Sequence, residues 1–153
     1  MKRIIGLVVC LLALSACGSG SNEKSVTCKV PSTDTLSGEM TLKYGEDQKG
    51  TKLEMVVKQK TTKEVLENKD KMKAIKDTAS TQAKAISGTT IDVSSDLSNL
   101  TLDITYHIDL KKYDHEKDAL GLMSTMGNDK SVITAKKFVS ASKQSGMECG
   151  EIK

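Results

Sequence analysis

Between Leu100 and Leu110 every second residue is apolar: Leu100, Leu102, Ile104, Tyr106, Ile108 and Leu110 alternate with Thr101, Asp103, Thr105, His107 and Asp109. Successive side chains of a strand point to opposite faces, so the run predicts a long strand with one apolar and one polar side. A strand in a parallel sheet is covered on both faces and reads apolar throughout. The alternation therefore predicts an antiparallel sheet with one face on a core and the other toward water. A chain of 153 residues holds one such domain and excludes a large doubly wound sheet or an eight-fold barrel.

Shorter segments repeat the pattern. Ser25 to Lys29 reads as a strand that stops at Pro31, the only proline in the chain. Leu36, Met40, Leu42 and Tyr44 alternate with polar residues, and after Gly45 to Gly50 the alternation resumes at Leu53, Met55 and Val57, which predicts a hairpin. Thr89 to Val93 adds a strand that the Ser94 to Asn99 turn joins to the long one. Residues 63–86 contain no Gly or Pro, and Val65, Met72, Ile75, Ala79, Ala83 and Ile86 form one helical stripe that ends at Gly88, with a supporting Glu67 to Lys71 pair. Ala119, Leu120, Leu122, Met123 and Met126 suggest a short helix closed by Gly127, Asn128 and Asp129. A final helix over Thr134 to Ser145 buries Ala135, Phe138 and Val139 and stops at Gly146. The expected fold class is α+β: an antiparallel sheet of about five strands, with one long helix and a C-terminal helix packed on one face.

The N-terminus states an address. Lys2 and Arg3 precede an apolar run from Ile4 to Leu14 that is too short for a permanent membrane span and ends in Leu14-Ser15-Ala16-Cys17. This matches the bacterial lipobox, in which the cysteine takes a diacylglycerol thioether and becomes the first mature residue. Residues 1–16 are thus expected to be a lipoprotein signal peptide, 17–25 the lipidated Cys17 with a Gly/Ser tether, and 26–153 the single domain. Several acyl chains on one cysteine anchor stably where one does not. The expected location is the bacterial cell membrane, lipid-anchored and facing outside the cytoplasm. A tether from Gly18 to Ser25 reaches roughly 15 Å, which keeps the domain near the headgroups.

Removing residues 1–16 takes away Lys2 and Arg3 and no acid, so the net charge falls from +3 to +1. The basic balance therefore gives no reason to expect a nucleic-acid partner. Trp is absent and Phe occurs once, which removes the stacking platforms of sugar and single-strand sites.

Four cysteines occur. Cys10 leaves with the signal and Cys17 is consumed by lipid, so Cys28 and Cys149 remain in a compartment where disulfides persist. A structural disulfide between them is expected; two free buried thiols, or a redox or metal pair, are the alternatives. A redox pair more often sits at Cys-x-x-Cys spacing.

No catalytic residues, metal site or cofactor are expected. His107, with Thr105 and Asp109, and the Tyr113-Asp114-His115-Glu116 run offer metal-ligand side chains, but in no recognised spacing and among Lys111, Lys112 and Lys117. A solvated strand face and a charged loop account for them. Met40, Met55, Met72, Met123, Met126 and Met147 read as core filler, with Met123 and Met126 the pair free to be exposed. Lys69, Lys73, Lys76 and Lys84 gather on one flank of the helical stripe and are candidates for a membrane-facing surface, at up to about 1 kcal/mol per residue near anionic headgroups.

The lipobox, Val26-Thr27-Cys28, the Leu100 to Leu110 strand and the closing Ile133-Thr134-Ala135-Lys136-Lys137-Phe138 and Gly146-Met147-Glu148-Cys149 runs together resemble the YehR-like small bacterial lipoproteins, a family without an established biochemical role. The resemblance implies one extracytoplasmic α+β domain with two cysteines near its ends. It carries over no catalytic residues, and the lysine-rich helix departs from the pattern. The expected function is a lipid-anchored binding or interaction module for a protein or small ligand. The alternative is a structural or envelope-assembly lipoprotein without ligand, and an enzyme is the least expected.

Overall fold

The computed structural model describes residues 23–126 and 132–153. In chain order the elements are β1 (Lys24–Val30), β2 (Leu36–Tyr44), β3 (Gly50–Lys60), α1 (Lys63–Glu67), α2 (Lys69–Ala85), β4 (Thr89–Asp96), β5 (Thr101–Asp109), α3 (Leu122–Met126), α4 (Ala135–Gln144) and β6 (Glu148–Cys149). The fold is α+β, with a six-stranded sheet in the order β4-β5-β3-β2-β1-β6 whose neighbours all pair antiparallel. The signal segment, Cys17 and most of the tether lie outside the described residues, as do Gly127, Asn128 and Asp129.

Register makes the sheet one-sided. Val26, Leu42, Leu53, Ile108 and Thr89 face one another across five strands as one row. Cys28, Met40, Met55, Tyr106 and Ile91 form the next, and Val30, Gly38, Val57, Ile104 and Val93 the third. The first row is buried beneath α3, α4 and residues 110–126, packed with Tyr44, Phe138, Leu122 and Ile133. The third is half-buried or open, ending at Val30, which is 38% exposed. α4 packs on β1, β2 and β6 at one edge, and α2 lies over β4 at the other, so both cover the same face.

Several expectations change in detail. The sixth strand is only the pair Glu148–Cys149, placed by register against Lys29 and Cys28, and Cys28 and Cys149 are disulfide-bonded with Cα atoms 4.0 Å apart. β1 begins at Lys24, inside the segment expected as tether, because Lys24 and Ser25 already pair with Tyr44 and Lys43. β4 runs on to Asp96, so the turn to β5 is tighter. Asp96 caps it through the backbone N–H groups of Ser98 and Asn99 and the Asn99 side-chain amide, led by the last, and these hold its carboxyl below the ordinary value. Leu100 belongs to that turn at φ 52° and is exposed, so the alternation that packs on the core starts at Leu102.

The helix expected over 63–86 is two helices. Asn68 leaves helical geometry, at φ −77° and ψ 105°, and its side chain accepts a hydrogen bond from the Lys71 N–H at 2.9 Å, making it the N-cap of α2. The break removes the expected Glu67 to Lys71 pair, and Glu67 meets Lys63 instead at 3.4 Å. It also turns Leu66 inward against Met72 and Leu102. Gly88 sits at φ 75° in the turn to β4, where a Cβ would fall 2.8 Å from the Asp109 carbonyl oxygen, so only glycine fits.

Met123 and Met126 are buried, against the expectation of exposure. Asp118 folds them down: its carboxylate accepts from the backbone N–H groups of Met123 and Ser124, both at 2.9 Å, and from the Tyr113 hydroxyl at 3.1 Å. Burial pushes that carboxyl up, but the three donors outweigh it and hold it below the ordinary range. The buried Tyr113 hydroxyl is pushed up by desolvation while it also accepts from the Leu120 N–H.

Candidate functional site

The apolar face carries more hydrophobic surface than its helices cover. α2 sits over the edge strand β4, and α4 over the opposite edge. Between them Ile104 and Tyr106 of β5, Met55 and Val57 of β3 and Met40 of β2 stay half-buried. A cleft of about 290 Å³ opens along the inner flank of α2. Its wall is Ala74, Ile75, Thr78, Ala79 and Gln82, and its floor Ile91, Val93, Ile104 and Tyr106. The α2 wall follows from helical spacing: Met72, Ile75 and Ala79 form the stripe on the sheet, with Thr78 and Gln82 on the side toward β5.

The cleft is mainly apolar, with polar groups at its mouth. Thr78 returns its hydroxyl to the Ala74 carbonyl, whereas the Gln82 amide and the Tyr106 hydroxyl make no hydrogen bond to any described residue. An apolar floor with a few free polar groups at the rim suits a small, largely hydrophobic ligand or an apolar side chain of a partner. Its size lies at the lower edge of the usual range for such sites, which starts near about 300 Å³.

The lysine flank lies on the other side of the same stripe. Lys69, Lys73, Lys76 and Lys84 are exposed, but Lys73 is spent on Asp77 one turn away. The flank is therefore of mixed charge along part of its length.

On the polar face the row Thr27, Thr41, Glu54, His107 and Thr90 runs across the sheet. His107 is held from both sides, with Nδ1 3.1 Å from Glu54 and Nε2 3.2 Å from Asp92. His115 is not brought to it: that ring packs edge-to-face on Tyr113 and lines a different cleft, with Leu110 and Met123. Among the described residues no three His, Cys, Asp or Glu side chains are grouped to hold a metal ion. No helix among them is long and apolar enough to cross a membrane.

Antiparallel order with a two-residue sixth strand and a disulfide to β1 is distinctive enough to compare with solved structures. The chain has the fold of YehR. The NMR structure of E. coli YehR superposes with a TM-score of 0.65 at 16% identity, over 88% of this chain and 95% of that one. An NMR structure of a Streptococcus pneumoniae TIGR4 protein gives 0.61 at 19% identity, over 98% of both chains. No family profile and no curated sequence matches.

Sequence reasoning did not find the α2 cleft, because it is a product of register. The alternation shows Ile104 and Tyr106 as inward residues and places Ile91 and Val93 only within a strand. What no periodicity displays is that α2 shifts to the sheet edge and leaves them half covered.

Proposed function

We propose that this chain is a YehR-like lipoprotein, anchored through Cys17 outside the cytoplasm, and that it is a binding module whose ligand enters the cleft between α2 and the sheet. The carrying observation is the half-buried floor of Ile104 and Tyr106 beneath a wall with free Gln82, because stable domains seldom leave such a concave apolar surface unused. The shared fold with YehR supports the YehR-like reading, and the Leu14 to Cys17 motif supports the lipoprotein reading.

In-cell photo-crosslinking of the anchored full chain tests both parts. A crosslinker placed at Gln82 is expected to capture a recurrent adduct that one placed at exposed Lys60 does not. An empty adduct list at Gln82 ends the binding reading. Fully processed, detergent-partitioning protein from a Cys17→Ala variant ends the anchor reading.

A second reading has its own observation. Among the described residues Val30, Leu36, Leu97 and Leu100 are the exposed large hydrophobic ones, and all lie at the end of the sheet away from Lys24. That end is tied together by backbone bonds from Lys60 to Thr35 and from Thr61 to Leu100. It suits a protein neighbour in envelope assembly, and adducts at Leu97 in place of Gln82 would favour it.

A further inference from the structure

The polar face carries a larger cleft, of about 510 Å³, toward the end of the sheet where β1 begins. Two of its lining residues, Lys43 and Lys52, are register partners on β2 and β3, so like charges stand directly opposite each other. Such a pair is destabilising. Neither lysine makes an ion pair with any described residue.

The acids near them are turned elsewhere. Asp109 is the register partner of Lys52 on its other side, yet it accepts the Lys111 N–H on Oδ1 at 3.0 Å and lies 3.6 Å from the Lys112 ammonium on Oδ2. Glu54 faces His107, and Glu23 accepts from the Thr51 hydroxyl. The β2–β3 ladder slips between Lys43 and Tyr44, leaving Thr51 as an extra residue beside the pair. A bulge of this kind re-aims the neighbouring side chains. The register thus sets two lysines without an ion pair to any described residue opposite each other at a concave surface that Glu54 and Asp109 also line, with Thr41, whose hydroxyl shares a hydrogen bond with Thr27 at 2.8 Å, and Lys112 among its lining.

We propose that Lys43 and Lys52, with Thr41 and Lys112, bind a phosphate-bearing anion. Lysine meets phosphate as a compact charge with rotatable donors, and two of them match a group with several equivalent oxygens. The phosphate has two possible sources, a soluble phosphate or a phospholipid headgroup. The headgroup source rests on the anchor at Cys17. Thr51, at the β1 end of the sheet, donates its hydroxyl to Glu23, and the six residues from Gly18 to Glu23 span at most about 21 Å, which puts this end of the sheet within reach of headgroups.

The test uses the full chain in uncharged detergent, read by amide chemical shifts at residues 41–43, 52–54 and 109–112. Inorganic phosphate is titrated first, then lipid bicelles with and without phosphatidylglycerol. Saturable shifts with inorganic phosphate assign a soluble anion; shifts only with phosphatidylglycerol assign the headgroup. In either case the K43Q/K52Q variant is expected to bind at least tenfold more weakly, each single change to lose part of that, and K69Q/K76Q to bind as the parent does. No saturable shift with either probe overturns the proposal, as does weakening by K69Q/K76Q without weakening by K43Q/K52Q. The phosphate arm needs no lipid on Cys17, so failure of the anchor and failure of this site are read separately.

Discussion

The two ends of one apolar sheet face are built to different standards. Under α4 and α3, Leu42, Tyr44 and Phe138 are fully buried, Leu53 and Ile108 nearly so, and the disulfide ties β1 to β6 behind them. Under α2 the contacts are Leu66, Met72 and Leu102, with Ile75, Val93 and Ile104 only half-buried. The first side carries the stability of the domain. The second is held by one amphipathic helix over an edge strand and keeps the cleft that the proposed ligand would enter.

Breaking the disulfide has the largest expected effect on that contrast. It closes a separation of 121 residues, for which the chain-entropy account gives slightly under about 5 kcal/mol as an upper value. Cys28→Ser and Cys149→Ser should lower Tm by similar amounts, and the double variant should be no worse than either. Alkylation of both thiols in unreduced, denatured mature protein would contradict the bond itself.

Core truncations compare the two sides directly. Phe138→Ala should cost about 3–5 kcal/mol, as for a closed aromatic site, whereas Ile75→Ala, at a half-buried position beside an existing cleft, should cost about 1–2 kcal/mol. Chemical denaturation measures both. Equal losses would mean that α2 is packed as tightly as α4 and that the cleft closes in solution.

Acid should loosen the better-built side. Asp118 fastens the 113–124 segment over the core, and its folded-state carboxyl lies below the ordinary value of 3.8. A depressed folded pKa gives stability that is present above the ordinary value and lost as pH falls through the folded one. Asp118→Ala should cost about 1–3 kcal/mol at pH 7 and should lose less than the parent between pH 7 and pH 3. Parallel pH curves would show that the carboxylate does not fasten the segment.

What the sequence displays follows the same division. The strict alternation at Leu102 to Leu110 and in the β2–β3 hairpin, the Phe138 helix and the elimination among four cysteines all concern the tightly packed side, where local pattern and burial agree. The disulfide pairing was legible because Cys28 and Cys149 were the only two left. β6 was not, since two residues show no period; it exists because Cys149 is drawn to Cys28. The burial of Met123 and Met126 depends on Asp118 reaching forward to the Met123 and Ser124 N–H groups, a contact no periodicity displays. The opposition of Lys43 and Lys52 follows from hairpin register and the bulge at Thr51, which alternation alone does not set. Around α2 the apolar stripe reads as one continuous helix, because the absence of Gly and Pro outweighs Asn68, although Asn68 followed by Asp70 is a helix-start signal.

That break supplies the smallest and sharpest prediction. A continuous helix would place Val65 on the buried stripe and turn Leu66 about 100° away from it. In the structure Leu66 is the buried residue and Val65 the half-buried one, so the chain exchanges several helical hydrogen bonds for the Leu66 contact with Met72 and Leu102 and for the Asn68 cap. Asn68→Ala removes the cap acceptor from Lys71 and places a strong helix former at the junction. If packing of Leu66 sets the break, the variant should lose about 1 kcal/mol with no gain in helical ellipticity. If helix propensity is what the break opposes, ellipticity and Tm should rise together, and the loosely held side of the molecule would then be so because of a single residue's cap and not because of how α2 meets the sheet.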